Sequence, residues 1–300
     1  MNKWCLAIFE WVADYDELSV LRTVCKDFKS SIVRRHVTEL TIHKSFSNHY
    51  VLTACAKYLK KVVCNGKGLK ALPALPNLTW LDCSDNFLIT LPNLPNIKEL
   101  YCRDNWLSKL PSLPNVEILY CSDNILSKLP DLPNIMKLKC ARNSNLTALP
   151  DLPYVVELDC SGCRLTQLPI LSHVVDMDCS DNRLMSLPDL PAIEILLCYA
   201  CELVTLSTEG YPNIRRLDCG HNLLEVLPSL PTVGFLDCSY NRITVLPDLS
   251  KVEYLYCANN HLANIPTFPC IRQLACHNNH PFLRVPPMPS EAIVSDGQQV

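Results

Sequence analysis

The sequence lacks most of the features on which enzymes and membrane proteins depend. Only 7 of its 300 residues are glycine, and no P-loop, dinucleotide-binding motif or G-x-S-x-G motif occurs. No apolar run is long enough to span a membrane, and acidic residues at Glu10, Asp14 and Asp16 interrupt the first apolar stretch, which argues against a signal peptide. We therefore expect a non-catalytic protein without catalytic residues, cofactor or membrane association.

A strong excess of basic charge is also missing. Lys and Arg together number 27 and Asp and Glu 30, giving a net charge of -3. Residues 73–300 are acidic, with fifteen basic and twenty-four acidic side chains. Because nucleic-acid binding depends on neutralising phosphates with Lys and Arg, we expect no nucleic-acid partner.

Proline and cysteine, by contrast, are abundant, with 23 and 18 residues. Twelve cysteines recur every 19 to 21 residues, namely Cys64, Cys83, Cys102, Cys121, Cys140, Cys160, Cys179, Cys198, Cys219, Cys238, Cys257 and Cys276. One unit reads Ile97-x-x-Leu100-x-Cys102-x-x-Asn105-x-Leu107-x-x-Leu110-Pro111-x-Leu113-Pro114. This frame resembles a short leucine-rich repeat, so we assign about twelve such units to residues 64–289.

The repeat predicts a solenoid with a parallel sheet on its concave face. Leu100 and Cys102 lie two apart and point into the core, whereas Tyr101 and Arg103 point outward. One unit cannot bury its apolar side alone, so the units must stack. The LPxLP segment then returns the chain along an irregular, polyproline-like convex side, where a PxxP ligand for another domain is the weaker interpretation.

The asparagine three residues after each cysteine is expected to bond backbone groups from rung to rung. Cysteine replaces it at Cys163 and Cys201, which creates two CxxC pairs of the kind that often bind zinc. The repeat already explains both members of each pair, and the pairs lie two repeats apart. We therefore expect no metal, and we expect the reducing cytoplasm or nucleus, because stacked thiols would be prone to disulfide formation elsewhere.

Residues 1–36 do not follow the repeat and are expected to form a small α-helical segment. The run Asp16-x-Leu18-x-x-Leu21-x-x-Val24-Cys25-Lys26-x-Phe28 resembles the closing helix of an F-box, although the Leu-Pro pair that opens that motif is absent. The resemblance implies that this segment docks on a Skp-type adaptor of a cullin-RING ubiquitin ligase while the repeats hold the protein to be ubiquitinated. The adaptor-binding residues would be Leu6, Phe9, Leu18, Leu21, Val24 and Phe28.

Two alternatives to such a substrate receptor remain. The chain is also interpretable as a stand-alone interaction or scaffold protein in which residues 1–36 only cap the solenoid. The repeats resemble those of short-repeat proteins of giant DNA viruses, which would place the protein in a host cell, and the LPxLP repeats of bacterial effectors. In effector ligases a catalytic cysteine domain follows the repeats, whereas we expect residues 290–300 to form a tail, so this class is disfavoured.

Residues 37–63 are expected to form a first rung, with Leu40 and Ile42 inward, and an N-terminal cap whose return over 48–61 is helical. A protein partner is expected on the concave face of a chain that is otherwise monomeric. Its contacts would be outward aromatic residues, namely Tyr101, Tyr120, Phe235, Tyr254 and Tyr256, with Tyr199 and Tyr240 nearby. Outward Asp residues either favour a basic partner or only cap turns, and His277 and His280 are interpreted as an exposed edge rather than a metal site.

Overall fold

The computed structural model describes residues 39–41, 56–207 and 211–295, which form one parallel sheet. Within these ranges fourteen strands pair in sequence order, each with the next. They are β1 Glu39–Thr41, β2 Lys61–Val63, β3 Trp80–Asp82, β4 Glu99–Tyr101, β5 Ile118–Tyr120, β6 Lys137–Lys139, β7 Glu157–Asp159, β8 Asp176–Asp178, β9 Ile195–Leu197, β10 Arg216–Asp218, β11 Phe235–Asp237, β12 Tyr254–Tyr256, β13 Gln273–Ala275 and β14 Ile293–Ser295.

The register places equivalent residues of successive units beside one another. Leu100 in β4 lies opposite Leu81 in β3 and Leu119 in β5, and all three are fully buried. Cys102, two residues after Leu100, is buried as well, whereas Tyr101 between them is only half-buried. The predicted leucine-rich-repeat solenoid is therefore confirmed, because alternate strand residues face a continuous core of stacked units.

A left-handed residue lies three positions after the end of each of strands β2 to β13, which is two positions after the in-phase cysteine. This position has a positive φ in all twelve units, from Gly66 (φ 65°) through Asp85 (φ 55°) to Asn278 (φ 54°). Gly, Asn and Asp tolerate this conformation best, because most other side chains crowd the backbone there. The aspartates at this position, including Asp104 and Asp123, thus have a conformational role that the repeat frame alone did not reveal.

The expected asparagine ladder is confirmed in atomic detail. The Nδ2 atom of Asn105 donates to the carbonyl of Cys83 on the preceding rung at 3.0 Å and to those of Cys102 and Arg103 at 3.2 and 3.1 Å. Its Oδ1 atom accepts from the N–H of Leu88 at 2.9 Å. A single buried side chain therefore satisfies backbone groups of two neighbouring rungs, which would otherwise be costly to bury.

At Cys163 the ladder is maintained by a local change in the backbone. Its Sγ atom lies 3.4 Å from the carbonyl oxygen of Cys140, so the thiol supplies the bond to the preceding rung. A thiol is a poor acceptor, but the preceding unit has one additional residue. That residue lets the N–H of Leu146 donate to the carbonyl of Asn143 at 2.9 Å, so no acceptor is needed from Cys163.

A second asparagine ladder lies at the N-terminal ends of the strands, where the return segments lead into them. Nδ2 atoms of Asn96, Asn115 and Asn134 donate to carbonyls of Pro76, Pro95 and Pro114 in the preceding units, at 2.8 to 2.9 Å. These bonds join successive return segments as the first ladder joins strand ends. This second ladder was not predicted from the sequence.

The two ends of the chain are described only in part. Strand β1 pairs with β2 and buries Leu40, as expected for a first rung, whereas residues 1–38, Ile42 and most of the expected helical return lie outside the described residues. Residues 293–295 add strand β14 to the sheet, so the segment expected to be a tail contributes a further rung. In the described part of the chain, no helix has the length and apolarity required to cross a membrane.

Candidate functional site

An aromatic cluster lies on the outward face of the sheet near its N-terminal end. The rings of Trp80, Tyr101 and Tyr120 occupy three successive strands, with centroids separated by 5.3 Å and 5.0 Å. A cation borders each end, because the Nζ of Lys61 lies 4.5 Å from the Trp80 ring and that of Lys139 lies 5.2 Å from the Tyr120 ring. We call Trp80, Tyr101 and Tyr120 the N-terminal aromatic cluster.

Glu99 orients this cluster through hydrogen bonds. Its Oε2 atom accepts from Nε1 of Trp80 at 2.9 Å and from the hydroxyl of Tyr101 at 3.0 Å. Burial, together with this hydrogen bond, raises the pKa of Tyr101 to about 12. The Tyr101 hydroxyl is therefore a donor at neutral pH, and the two rings are held in place before any partner arrives.

A second cluster lies six strands further along the same face. The ring of Phe235 in β11 lies 6.4 Å from that of Tyr254 and 5.6 Å from that of Tyr256, both in β12. The guanidinium of Arg216 in β10 lies 4.3 Å from the Phe235 centroid. We call Phe235, Tyr254 and Tyr256 the C-terminal aromatic cluster, which brings together three residues that the sequence predicted to lie side by side.

The aromatic residues are half-buried rather than fully exposed, because rings on neighbouring strands cover one another. In a parallel, in-register sheet, equivalent side chains stack from rung to rung. Packing between neighbouring strands therefore gives these rings a part in the fold as well as in the predicted partner site. Their remaining exposed surface is still apolar and shared by adjacent strands, which is the arrangement typical of binding hot spots.

Most outward aspartates between the clusters have a local role. Asp159, Asp178 and Asp218 each accept a hydrogen bond through Oδ1 from the backbone N–H two residues later, at 3.0 to 3.2 Å. Such bonds are typical of Asx turns and support the interpretation that these residues cap strand ends. Asp176 differs, since it is exposed and begins a strand, and its side chain makes no hydrogen bond or ion pair within the described ranges.

Tyr199 and Tyr240 do not join the C-terminal aromatic cluster. They lie beside the strand ends and enclose His221, whose ring is 4.8 Å from Tyr199 and stacks 4.0 Å from Tyr240. His221 was not identified from the sequence, although it occupies in its unit the left-handed position that Tyr240 occupies in the next unit. The histidines expected at an exposed edge are partly engaged, as Nδ1 of His280 accepts from the N–H of Phe282 at 3.2 Å.

Another apolar surface lies outside the sheet face. Phe87, Trp106 and Ile125 occupy one position in three successive units and are 51%, 60% and 49% exposed, with the two aromatic rings 6.0 Å apart. Later units carry Arg164, Arg183 and Arg242 at this position. We call Phe87, Trp106 and Ile125 the lateral stripe, which the sequence analysis did not predict.

The thiols are part of the core. Of the fifteen cysteines in the described ranges, fourteen are buried and Cys270 is exposed. Burial raises the pKa of the Cys64 thiol to about 12 and that of Cys163 to about 11, which disfavours the reactive thiolate. Sγ of Cys201 lies 3.0 Å from the carbonyl of Cys179, and the described residues contain no group of three or more His, Cys, Asp or Glu placed to hold a metal.

The predicted adaptor-binding residues cannot be placed on this structure. Leu6, Phe9, Leu18, Leu21, Val24 and Phe28 all lie outside the described residues. The candidate site is therefore the outward sheet face, with an aromatic cluster toward each end and acidic residues between them. Apolar rings that are shared by adjacent strands and bordered by charge make this surface suited to contacting another macromolecule.

Comparison with known proteins agrees with the class that this fold defines, the leucine-rich-repeat proteins. A family model for leucine-rich repeats in two copies matches residues 95–134. No curated protein matches the sequence.

Among solved structures, the chain is similar to YopM from Yersinia enterocolitica WA-314, at 30% identity and a TM-score of 0.74 over 86% of this chain and 61% of that one. The present chain thus spans less than two thirds of that protein. It is also similar to YopM from Yersinia pestis, described as a leucine-rich effector protein, at 26% identity and a TM-score of 0.65 over 93% and 88% of the two chains. InlJ from Listeria monocytogenes, whose functional domain includes a cysteine ladder, shares the fold at 23% identity and a TM-score of 0.57 over 84% and 69%.

Proposed function

We propose that the chain is a non-catalytic recognition protein that binds a protein partner on the concave sheet face. The observation that carries this proposal is the pair of aromatic clusters, each shared by adjacent strands and each bordered by a cation. Aromatic residues and arginine are the residues most enriched at binding hot spots. The acidic residues on the same face disfavour a nucleic-acid partner, because they would repel phosphates.

The finer proposal is that the chain is an F-box-type substrate receptor, with residues 1–36 docking on a Skp-type adaptor of a cullin-RING ubiquitin ligase. Its support is the resemblance of Asp16 to Phe28 to the closing F-box helix. The second candidate is a stand-alone interaction protein in which residues 1–36 only cap the solenoid. That candidate is favoured by the similarity to YopM from Yersinia pestis, a leucine-rich effector protein.

We also propose that the protein is a monomer outside its complex. We further propose that it acts in a reducing compartment, the cytoplasm or nucleus, which would be that of a host cell if the protein is viral. The support is the thiol ladder, in which cysteines recur on neighbouring strands. Parallel strands lie about 4.8 Å apart, so neighbouring cysteines come within the Cα separations that disulfides tolerate. Such a ladder would be at risk of cross-linking under oxidising conditions.

The partner site is tested by capturing a partner with the full chain, identifying it by mass spectrometry and measuring its affinity for a variant. Replacing Phe235, Tyr254 and Tyr256 with Ala removes the exposed surface of the C-terminal aromatic cluster. We expect the affinity to fall by about thirtyfold or more, since truncating a hot-spot residue costs roughly 2 kcal/mol. Circular dichroism should show that the repeats of the variant remain folded.

The matched control is Val226→Ala with Val245→Ala, which shortens two side chains in return segments that are 66% and 71% exposed. This control should bind as the parent does. Equal affinity of the parent and the triple variant would remove the C-terminal aromatic cluster from the site, and the Tyr101 and Tyr120 pair would be replaced next.

The adaptor proposal is tested by co-purification of a Skp-type adaptor with the full chain and with a chain that lacks residues 1–36. We expect adaptor binding to the full chain only, while the circular dichroism of the repeats is retained after the deletion. Failure of the full chain to bind an adaptor would reject the ligase proposal. Loss of folding together with binding would favour the cap interpretation.

A further inference from the structure

The aromatic clusters already contain their own cations. Lys61 and Lys139 lie over rings of the N-terminal aromatic cluster, and Arg216 lies over Phe235 in the C-terminal aromatic cluster. A second cation brought to these rings would be repelled by the first, although an aromatic face attracts a cation when it is free. Each cluster therefore favours an apolar side chain from a partner.

The centre of the concave face, between the two aromatic clusters, carries acidic side chains on strands β7 and β8. Glu157 is paired with Lys137 at 3.0 Å and with Lys139 at 2.8 Å. The side chain of Asp176, on the next strand, makes no ion pair and no hydrogen bond in the described part of the chain, and the nearest cation that acts on it, Lys139, is already paired with Glu157. Burial and the neighbouring Glu157 raise the pKa of Asp176, and Lys139 offsets this only in part, so acidic neighbours outweigh the cation around this carboxylate.

The strand-end role of the other aspartates does not account for Asp176. Asp178, two residues later, caps the turn by accepting from the N–H of Ser180 at 3.0 Å, whereas Asp176 stands at the first position of the strand. That position carries Lys137 in β6 and Arg216 in β10, so no turn requires Asp there. A cation from a partner would complete the charge balance of β8.

The spacing of these features is regular. Strand β8 lies three strands from β5, which carries Tyr120, and three strands from β11, which carries Phe235. At a strand separation of about 4.8 Å, each interval is about 14 Å and the whole distance about 29 Å. An extended chain advances roughly 3.3 to 3.6 Å per residue, so about four residues cover each interval and about eight cover both.

We propose that the occupant of the concave face is an extended peptide segment of about eight or more residues, with Lys or Arg at its centre and an apolar side chain toward each end. This proposal rests on the proposed concave-face function and specifies the chemistry of its partner. The central cation would lie against Asp176 and Asp178. The apolar side chains would lie on the two aromatic clusters.

The test selects random 12-residue peptides on the immobilised full chain and then measures the affinity of the synthesised consensus peptide by fluorescence anisotropy. We expect a consensus with Lys or Arg flanked by apolar residues about four positions away on each side. Asp176→Asn with Asp178→Asn should weaken binding about tenfold, and so should Phe235→Ala with Tyr254→Ala. Asparagine at 178 retains the oxygen that caps the turn, so this pair changes charge with little effect on the fold.

The matched control is Asp131→Asn with Asp151→Asn, the same charge change at two exposed positions of the return segments, and it should alter the affinity less than twofold. A consensus without basic residues, no selected peptide at all, or an unchanged affinity of the Asp176 and Asp178 variant would overturn the proposal. If only the aromatic variant weakens binding, concave-face recognition stands and the basic occupant is rejected. If the captured protein partner is insensitive to both variants, the proposed function itself fails.

Discussion

Replacing an asparagine of the ladder should lower the stability of the protein. The variant Asn124→Cys tests this, because cysteine occurs naturally at the equivalent position of another unit, Cys163. Nδ2 of Asn124 donates to the carbonyls of Cys102, Cys121 and Ser122 at 3.0, 3.2 and 3.1 Å. Its Oδ1 accepts from the N–H of Leu107 at 2.9 Å. A thiol can replace only one of the donated bonds and none of the accepting role.

The cost follows from the groups that lose their partners. Leaving the buried N–H of Leu107 without an acceptor costs about 1–3 kcal/mol, and the loss of one net donated bond adds about 0.5–1.5 kcal/mol. The carbonyl of Cys121 keeps a bond from Asn143 at 3.0 Å, so it adds little. We therefore expect Asn124→Cys to lower the free energy of unfolding by about 1.5–4.5 kcal/mol.

Urea unfolding followed by circular dichroism measures this loss, and hydrogen exchange at the Leu107 amide locates it. The control is Cys163→Asn, which should change stability by no more than about 1 kcal/mol because Leu146 already has an acceptor there. If Asn124→Cys costs no more than the control, or if exchange at Leu107 is unchanged, the account of the ladder is refuted.

Three further predictions follow from burial and charge. Cys238→Asp should disrupt the array because the thiol is fully buried, whereas Cys270→Asp, at an exposed thiol, should leave unfolding by urea unchanged. Brief alkylation followed by peptide mass spectrometry should modify Cys270 well before Cys238, since burial raises the pKa of the Cys238 thiol. Hydrogen bonds from Lys139 and Lys137 lower the pKa of Glu157 in the folded protein. The contribution of Glu157 to stability is therefore present above its unfolded-state pKa and is lost as pH falls through the lower folded-state pKa. Glu157→Gln should consequently flatten the loss of stability below about pH 5.

Each of these predictions has an outcome that contradicts it. Cooperative, parent-like unfolding of Cys238→Asp would mean that the side chain at this position is not buried away from water. Equal alkylation rates at Cys238 and Cys270 would show that the core admits reagent. An unchanged dependence of stability on pH in Glu157→Gln would show that its bonds to Lys137 and Lys139 contribute nothing measurable.

The fold could be predicted from sequence because its determinants repeat. An apolar residue and a cysteine lie two apart in every unit, as Leu100 and Cys102 do, and this pair specifies the strand, its inward face and its register with Leu81 and Leu119. The asparagine ladder followed from the need to satisfy strand-end backbone groups. The left-handed turn was missed, although Gly66 at the same position as the aspartates is a signal that could have revealed it.

The candidate site was predicted less completely, because it depends on contacts between units. Tyr101 and Tyr120 share one repeat position, so their stacking was predictable, whereas Trp80 contacts Tyr101 from a different position on the neighbouring strand. The contact between the Arg216 guanidinium and the Phe235 ring was not predicted for the same reason. The predicted adaptor residues of the segment 1–36 stay a prediction, since they lie outside the described residues.

Site-specific photo-crosslinking tests most directly the claim that the concave face binds the partner. A photoreactive amino acid would replace Tyr120, Tyr256 or Trp106 in the full chain, and adducts with the captured partner would be identified by mass spectrometry. Trp106 is 60% exposed on the lateral stripe, so it reports on the competing apolar surface. The account predicts adducts from Tyr120 and Tyr256 and none from Trp106; adducts from Trp106 alone would contradict it.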